Sequence, residues 1–165
     1  MTDNKVAIGI VGCGNIAETY LEQITNYNNV HLVGLTDIVS ERAQELATIY
    51  NCAVYPDLET MVADEKIDLV VNLTIHHVHA EIIEQILQAN KHVYTEKPLA
   101  MNYKDAKRLV DLAEKKNLRL SSAPITYMGE AQQTAAQQIA AGILGKIRLV
   151  DRKSTRLNSS HVKRS

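Results

Sequence analysis

The stretch Val6-Ala7-Ile8-Gly9-Ile10-Val11-Gly12-Cys13-Gly14-Asn15-Ile16-Ala17 carries an apolar run into a glycine-rich turn and then into a helical pattern. Apolar runs of this length suit a strand covered on both faces, as in a parallel sheet. The turn has the form G-x-G-x-x-A. Gly12 permits a tight turn, Gly14 lets a phosphate approach the backbone, and the small Ala17 lets the helix pack close to the strand. The start of that helix offers free N–H groups and a partial positive charge to an anion. A tight turn that holds nothing is the bland alternative.

Working outward, Val30 to Leu35, Leu69 to Leu73, His92 to Tyr94 and Leu118 to Ser121 read as further strands, with a short one near Val54. Between them, Ala17, Tyr20, Leu21 and Ile24 share a helical face, as do Ala43, Leu46, Ala47 and Tyr50. Val78, Ile82, Ile83 and Ile86 repeat the spacing, and so do Ala106, Leu109, Val110 and Ala113. Strand and helix in alternation predict an α/β fold with a doubly wound parallel sheet, the Rossmann arrangement. A last helix over about Ala131 to Ala141 and a strand over Ile147 to Val150 are expected beyond it.

Asp37 follows the second strand, 20 residues after Ala17. A carboxylate there can accept hydrogen bonds from adenosine ribose hydroxyls and would repel a 2'-phosphate, so NAD is favoured over NADP. Arg42 leaves NADP open, and a plain turn role for Asp37 is the alternative.

Two stretches fall just past strand C-terminal ends, where open α/β sheets bind ligands. They are Asn72-Leu73-Thr74-Ile75-His76-His77-Val78-His79 and Tyr94-Thr95-Glu96-Lys97-Pro98-Leu99-Ala100. Lys97 next to Glu96 could set an ammonium beside a nicotinamide or a substrate hydroxyl, to orient substrate or move a proton. A solvated turn lysine is the other reading.

The Gly-loop, the T-x-x-x-x-H stretch from Thr74 to His79 and "KHVYTEKPLA" from Lys91 to Ala100 stand in the order found in the glucose-fructose oxidoreductase and inositol dehydrogenase (Gfo/Idh/MocA) family, which the chain resembles over about residues 5 to 150. The resemblance implies a two-domain, NAD(P)-dependent, usually homo-oligomeric oxidoreductase acting on sugars, polyols and related compounds. It makes Gly12, Gly14, Asn15 and Ile16 the pyrophosphate loop and Asp37 the ribose carboxylate. It makes Thr74, His76 and His79 part of the cofactor wall, and Glu96 and Lys97 the nicotinamide-proximal pair, with Lys97 catalytic. Two departures stand out. Thr74-Ile75-His76 replaces the family's frequent Thr-Pro-Asn, and Tyr127-Met128-Gly129-Glu130 stands where an arginine often follows the sixth strand. The Asp and His of the family's substrate domain have no counterpart in the chain.

Residues 1–124 are therefore expected to form the dinucleotide domain and 125–150 the start of a truncated substrate domain, with little turnover by this chain alone. Residues 151–165 read as a disordered, non-native tail, since "RKSTRLNSSHVK" resembles a translated cloning adaptor. A genuine basic tail is the alternative. The missing domain predicts an exposed apolar surface around the last helix and Ile147 to Val150.

Composition sets the remaining limits. At 165 residues the chain has room for one well-buried core, and with no Phe or Trp that core is built from Ile, Leu, Val and Ala. Residues 1–150 carry 13 Lys and Arg against 18 Asp and Glu, a balance that argues against nucleic acid as a partner. No run is long enough to span a membrane or serve as a secretion signal, and Cys13 and Cys52 suggest neither disulfide nor zinc, so a cytoplasmic location is expected. Neither cysteine has an evident base partner. His76, His77 and His79 resemble a metal cluster only by composition, with no fourth ligand, and no metal is expected. A dinucleotide-binding redox sensor or regulatory protein without turnover is the rival function, and a Rossmann shape without ligand is a third.

Overall fold

The computed structural model of the protein describes residues 5–123 and 129–149. The predicted basic tail, 151–165, lies outside the described residues. The chain divides into two units, the first ending at Ile125 and the second beginning at Thr126.

The first unit holds six strands: β1 Val6–Val11, β2 Val30–Thr36, β3 Ala53–Val54, β4 Leu69–Asn72, β5 His92–Thr95 and β6 Leu120–Ser122. They form one parallel sheet in the order β3-β2-β1-β4-β5-β6. The α/β doubly wound fold is thus present. The chain runs outward from β1 to β3, then returns to pair β4 with the other edge of β1, so the direction of winding reverses between β1 and β4. At such a reversal the loops leaving two neighbouring strands part and leave a crevice.

Alternation along the strands fills two cores. Ile8, Ile10 and Val71 join Leu21 of α1 (Ala17–Ile24) and Ala43 and Ala47 of α2 (Ser40–Tyr50) on one face. Val11, Val70 and Val93 join Met61 of α3 (Leu58–Ala63), Ile83 and Ile86 of α4 (His79–Gln88), and Leu109 of α5 (Tyr103–Lys115) on the other. Full burial of each Val, Leu, Ile or Met among them contributes about 1.5–3 kcal/mol. Because both faces are covered, the central strands read as unbroken apolar runs.

Side chains and backbone set where the helices begin and end. Asp57 caps α3 by accepting from the Thr60 amide at 2.7 Å, and Asn102 caps α5 by accepting from the Asp105 amide at 2.9 Å. Three turns from helix to strand pass through left-handed asparagines, Asn51, Asn90 and Asn117, a conformation asparagine tolerates better than most residues.

The structure corrects the sequence reading at several points. Helix α3 has no counterpart in the sequence pattern. Val78 belongs to a 3-10 turn, His76–Val78, that precedes α4, and β6 starts at Leu120 instead of Leu118. In the second unit α6 spans Glu130–Ala140, but Ile147 to Leu149 pair with no strand among the described residues, and Val150 lies outside them. Ile139, Ile143, Leu144, Ile147 and Leu149 are all exposed there, as expected of the last helix and its sequel.

Candidate dinucleotide site

Just past the ends of β1 and β4, before their loops part, the main chain of Gly12 meets that of Leu73 and Thr74. Gly12 has φ +97°, and a Cβ on it would lie 2.7 Å from the Leu73 carbonyl carbon and 2.8 Å from the Thr74 nitrogen. Only glycine fits both the angle and the space. Leu73 N–H donating to the Val11 carbonyl at 2.8 Å stitches this contact, and Gly12 N–H donating to the Thr36 carbonyl at 2.9 Å ties the turn to the end of β2.

Gly14 needs to be glycine for the opposite reason. A Cβ there would meet nothing within 4 Å, so its backbone faces open space. Among the described residues the amides of Gly14, Asn15 and Ile16 have no hydrogen-bond partner, and Ile16 gives α1 no side-chain cap. Asn15 and Ile16 are exposed, while Ala17 is fully buried and lets α1 sit close on the sheet. Free donors, an uncapped helix start and an unobstructed backbone are what a pyrophosphate needs. The residues present fit a dinucleotide.

Asp37 stands at the end of β2 with both carboxylate oxygens engaged. Oδ2 accepts from the Cys13 amide at 2.6 Å, and Oδ1 accepts from the Val39 amide at 2.7 Å. The carboxylate thus fastens the Gly-loop to β2, and its remaining lone pairs stay available to a hydroxyl. Beside it Ile38 is wholly exposed. Gly12, Gly14, Asp37, Ile38, Arg42, Thr74 and Ile75 line one crevice of about 410 Å³, to which Leu58 and Ile82 add apolar lining. Arg42, whose guanidinium has no hydrogen-bond or ion-pair partner among the described residues, puts a cation on the same rim as Asp37.

The Cys13 side chain turns away from chemistry. It is buried, and burial together with the Asp37 charge pushes its thiol up to about 12. It stays protonated at neutral pH, and a protonated thiol is a poor nucleophile.

Past β4, Asn72 is fully buried. Its Oδ1 accepts from the Thr74 amide at 3.1 Å and the Thr74 hydroxyl at 2.6 Å, and its Nδ2 has no partner among the described residues. Thr74 reaches the crevice. His76 and His77 are exposed, their rings 4.1 Å apart, and His76 is not part of the lining. Among the described residues no group of three or more His, Cys, Asp or Glu could hold a metal ion. His79 is only 1% exposed, so its ring lies behind the wall instead of forming its surface. Its Nδ1 is 2.7 Å from the Pro98 carbonyl oxygen and its Nε2 is 3.0 Å from the Thr74 carbonyl oxygen.

Past β5, the Glu96 amide donates to the Asn72 carbonyl at 3.0 Å, which sets the Glu96-Lys97 turn beside the β4 loop. Glu96 Oε2 accepts from the Lys97 amide at 3.1 Å, and Oε1 accepts from the Tyr20 hydroxyl at 2.6 Å. Burial, reinforced by this hydrogen bond, pushes the Tyr20 phenol well above the usual tyrosine range. Lys97 is exposed. Tyr20 escapes a sequence reading because it occupies an apolar position of α1. Its ring does pack, 6.2 Å from that of Tyr94 at a tilted angle, and only its hydroxyl acts on the loop.

Comparison with known proteins agrees with this geometry. A family model described as "Oxidoreductase family, NAD-binding Rossmann fold" (GFO_IDH_MocA) matches residues 6–123. An uncharacterized oxidoreductase of Schizosaccharomyces pombe is 34% identical over 128 residues, covering 78% of this chain and 35% of its own length. The inositol 2-dehydrogenase of Salmonella paratyphi B is 32% identical over 115 residues, covering 68% of this chain and 34% of its own. Among solved structures, the myo-inositol dehydrogenase of Lactobacillus casei in complex with NAD(H) and myo-inositol aligns with TM-score 0.80 and 27% identity, over 86% of this chain and 43% of that one. The chain therefore spans about a third of the length of the curated relatives it matches.

Proposed function

As the chain belongs to the Gfo/Idh/MocA oxidoreductase family, we propose that it is the dinucleotide half of a dehydrogenase that moves hydride between nicotinamide and a sugar- or polyol-like alcohol or its carbonyl. The observation that carries this reading is the union, in one crevice, of the open Gly14 backbone with its free amides and the Asp37 carboxylate at the rim. Inositol dehydrogenases among the relatives support the substrate class.

In this reading the amides of Gly14, Asn15 and Ile16 bind the pyrophosphate, and Asp37 accepts from a ribose hydroxyl while holding the loop in shape. NAD is preferred over NADP because a 2'-phosphate would meet the Asp37 charge, with Arg42 softening the preference. The bound nicotinamide supplies or accepts the hydride. Lys97 orients the substrate oxygen and holds or moves its proton, and Glu96 fixes the turn that presents the lysine. Residues 1–124 make up this half, 125–150 lead into the substrate half, and the whole protein works as a homo-oligomer. Turnover by this chain alone is slight, since the partners that Lys97 needs in proton transfer have no counterpart in the matched residues.

Calorimetric titration with NADH and with NADPH tests the reading. Preferential NADH binding that weakens in Asp37→Asn supports it. Binding of neither cofactor by a folded chain would reduce the claim to the fold.

A further inference from the structure

His79 sits at the first position of α4, buried, with both ring nitrogens facing main-chain carbonyls from two different loops. One is Thr74, on the crevice rim, and the other is Pro98, next to Lys97. Each ring nitrogen that carries a proton donates to the carbonyl it faces, and burial leaves the ring no access to a ligand. The two carbonyls are 24 residues apart in sequence, and the loops that carry them also meet where the Glu96 amide donates to the Asn72 carbonyl. Asn72 in turn fixes Thr74 through its own side chain. Thr74, Asn72, Glu96, Pro98 and His79 therefore form one closed ring of contacts around the ends of β4 and β5.

We propose that His79 is a positioning residue that locks the Lys97 turn to the Thr74 rim of the crevice, so that Lys97 is presented at a fixed place relative to a bound dinucleotide. This rests on the crevice being the dinucleotide site with Lys97 on its nicotinamide side. The imidazole acts through two loops and touches neither substrate nor cofactor. Its removal loosens the nicotinamide end of the site and leaves the pyrophosphate end, built on β1 and α1, as it was.

The test compares NADH with ADP-ribose, which has the same phosphates but no nicotinamide, on the whole chain and on His79→Phe and His79→Gln. Alongside, amide hydrogen exchange is read without ligand. In His79→Phe we expect NADH to bind about tenfold more weakly, ADP-ribose to stay within about twofold, and exchange over residues 95–99 to quicken about tenfold while β1 is unchanged, the scale of one lost hydrogen bond. His79→Gln, which keeps a donor, recovers part of each effect and stands in should His79→Phe fail to fold. Equal weakening of both ligands, or an unchanged NADH to ADP-ribose ratio, would overturn the positioning role. If the unmodified chain binds neither ligand, the dinucleotide reading falls by itself. The lock is then judged on exchange alone: local quickening over 95–99 upholds it, and uniform or absent change removes it.

Discussion

The Asp37 carboxylate accepts the backbone N–H of Cys13 at 2.6 Å, tying the middle of the Gly-loop to the end of β2. An acidic residue at this place is usually read through its ligand. Here it also shapes the loop, and substitutions must separate the two tasks.

Asp37→Ala leaves the Cys13 and Val39 amides without their acceptor. Thermal or denaturant unfolding should show a loss of about 1–3 kcal/mol, and NADH binding should fall with it. Asp37→Asn keeps one acceptor oxygen but turns an NH2 donor toward the other amide, so it should lose about 1 kcal/mol, less than Asp37→Ala, and discriminate less between NADH and NADPH, as read by calorimetry.

The two loop glycines should fail in different ways. Gly12→Ala combines positive φ with overlap against the Leu73 carbonyl carbon at 2.7 Å, so the folded state should lose about 2 kcal/mol or more. Gly14→Val points into open space, so its melting temperature should barely move while NADH binding is lost. Circular dichroism melts paired with titration decide both, and a strongly destabilised Gly14→Val would contradict the open-backbone reading.

Cys13 makes the fold sensitive to alkali. Its thiol is pushed up from 9.0 to about 12 by burial, so the folded chain holds this proton more tightly than the unfolded one. The associated stability is complete below about pH 9 and is lost as pH rises toward 12. Unfolding titrations should show that decline, and Cys13→Ala should blunt it. Iodoacetamide at neutral pH should leave Cys13 unlabelled until denaturant is added.

Tyr20 should ionise later than an ordinary tyrosine, because burial and its bond to Glu96 both favour the neutral phenol. Tyr20→Phe should remove one late-ionising tyrosine from the ultraviolet titration of the folded chain. The same substitution should quicken amide exchange at Lys97 with only about 1 kcal/mol lost in global stability.

What the sequence disclosed follows from where each feature gets its energy. The central strands were legible because coverage on both faces demands continuous apolar runs, and the Gly-loop because no other residue type survives at Gly12. Helix α3 has six residues, too few for a period to emerge, and its one advance notice was Asp57 three places before Thr60. Leu118 looked like strand because it packs against the core, though it enters no pairing. Ile147 to Leu149 have a strand-like composition but no neighbouring strand among the described residues, and pairing depends on the neighbour. By sequence His79 reads as cofactor wall, because its partners are carbonyls 5 and 19 residues away, which no spacing reveals.

The surface proposed to face phosphate is made of peptide groups, the amides of Gly14, Asn15 and Ile16 that have no partner among the described residues. An alanine scan would therefore pass silently over Asn15 and Ile16, reporting them as dispensable while their amides remained in place. Sequence drift has the same blindness. The grip can persist while the letters at those positions change freely, provided the two glycines stay.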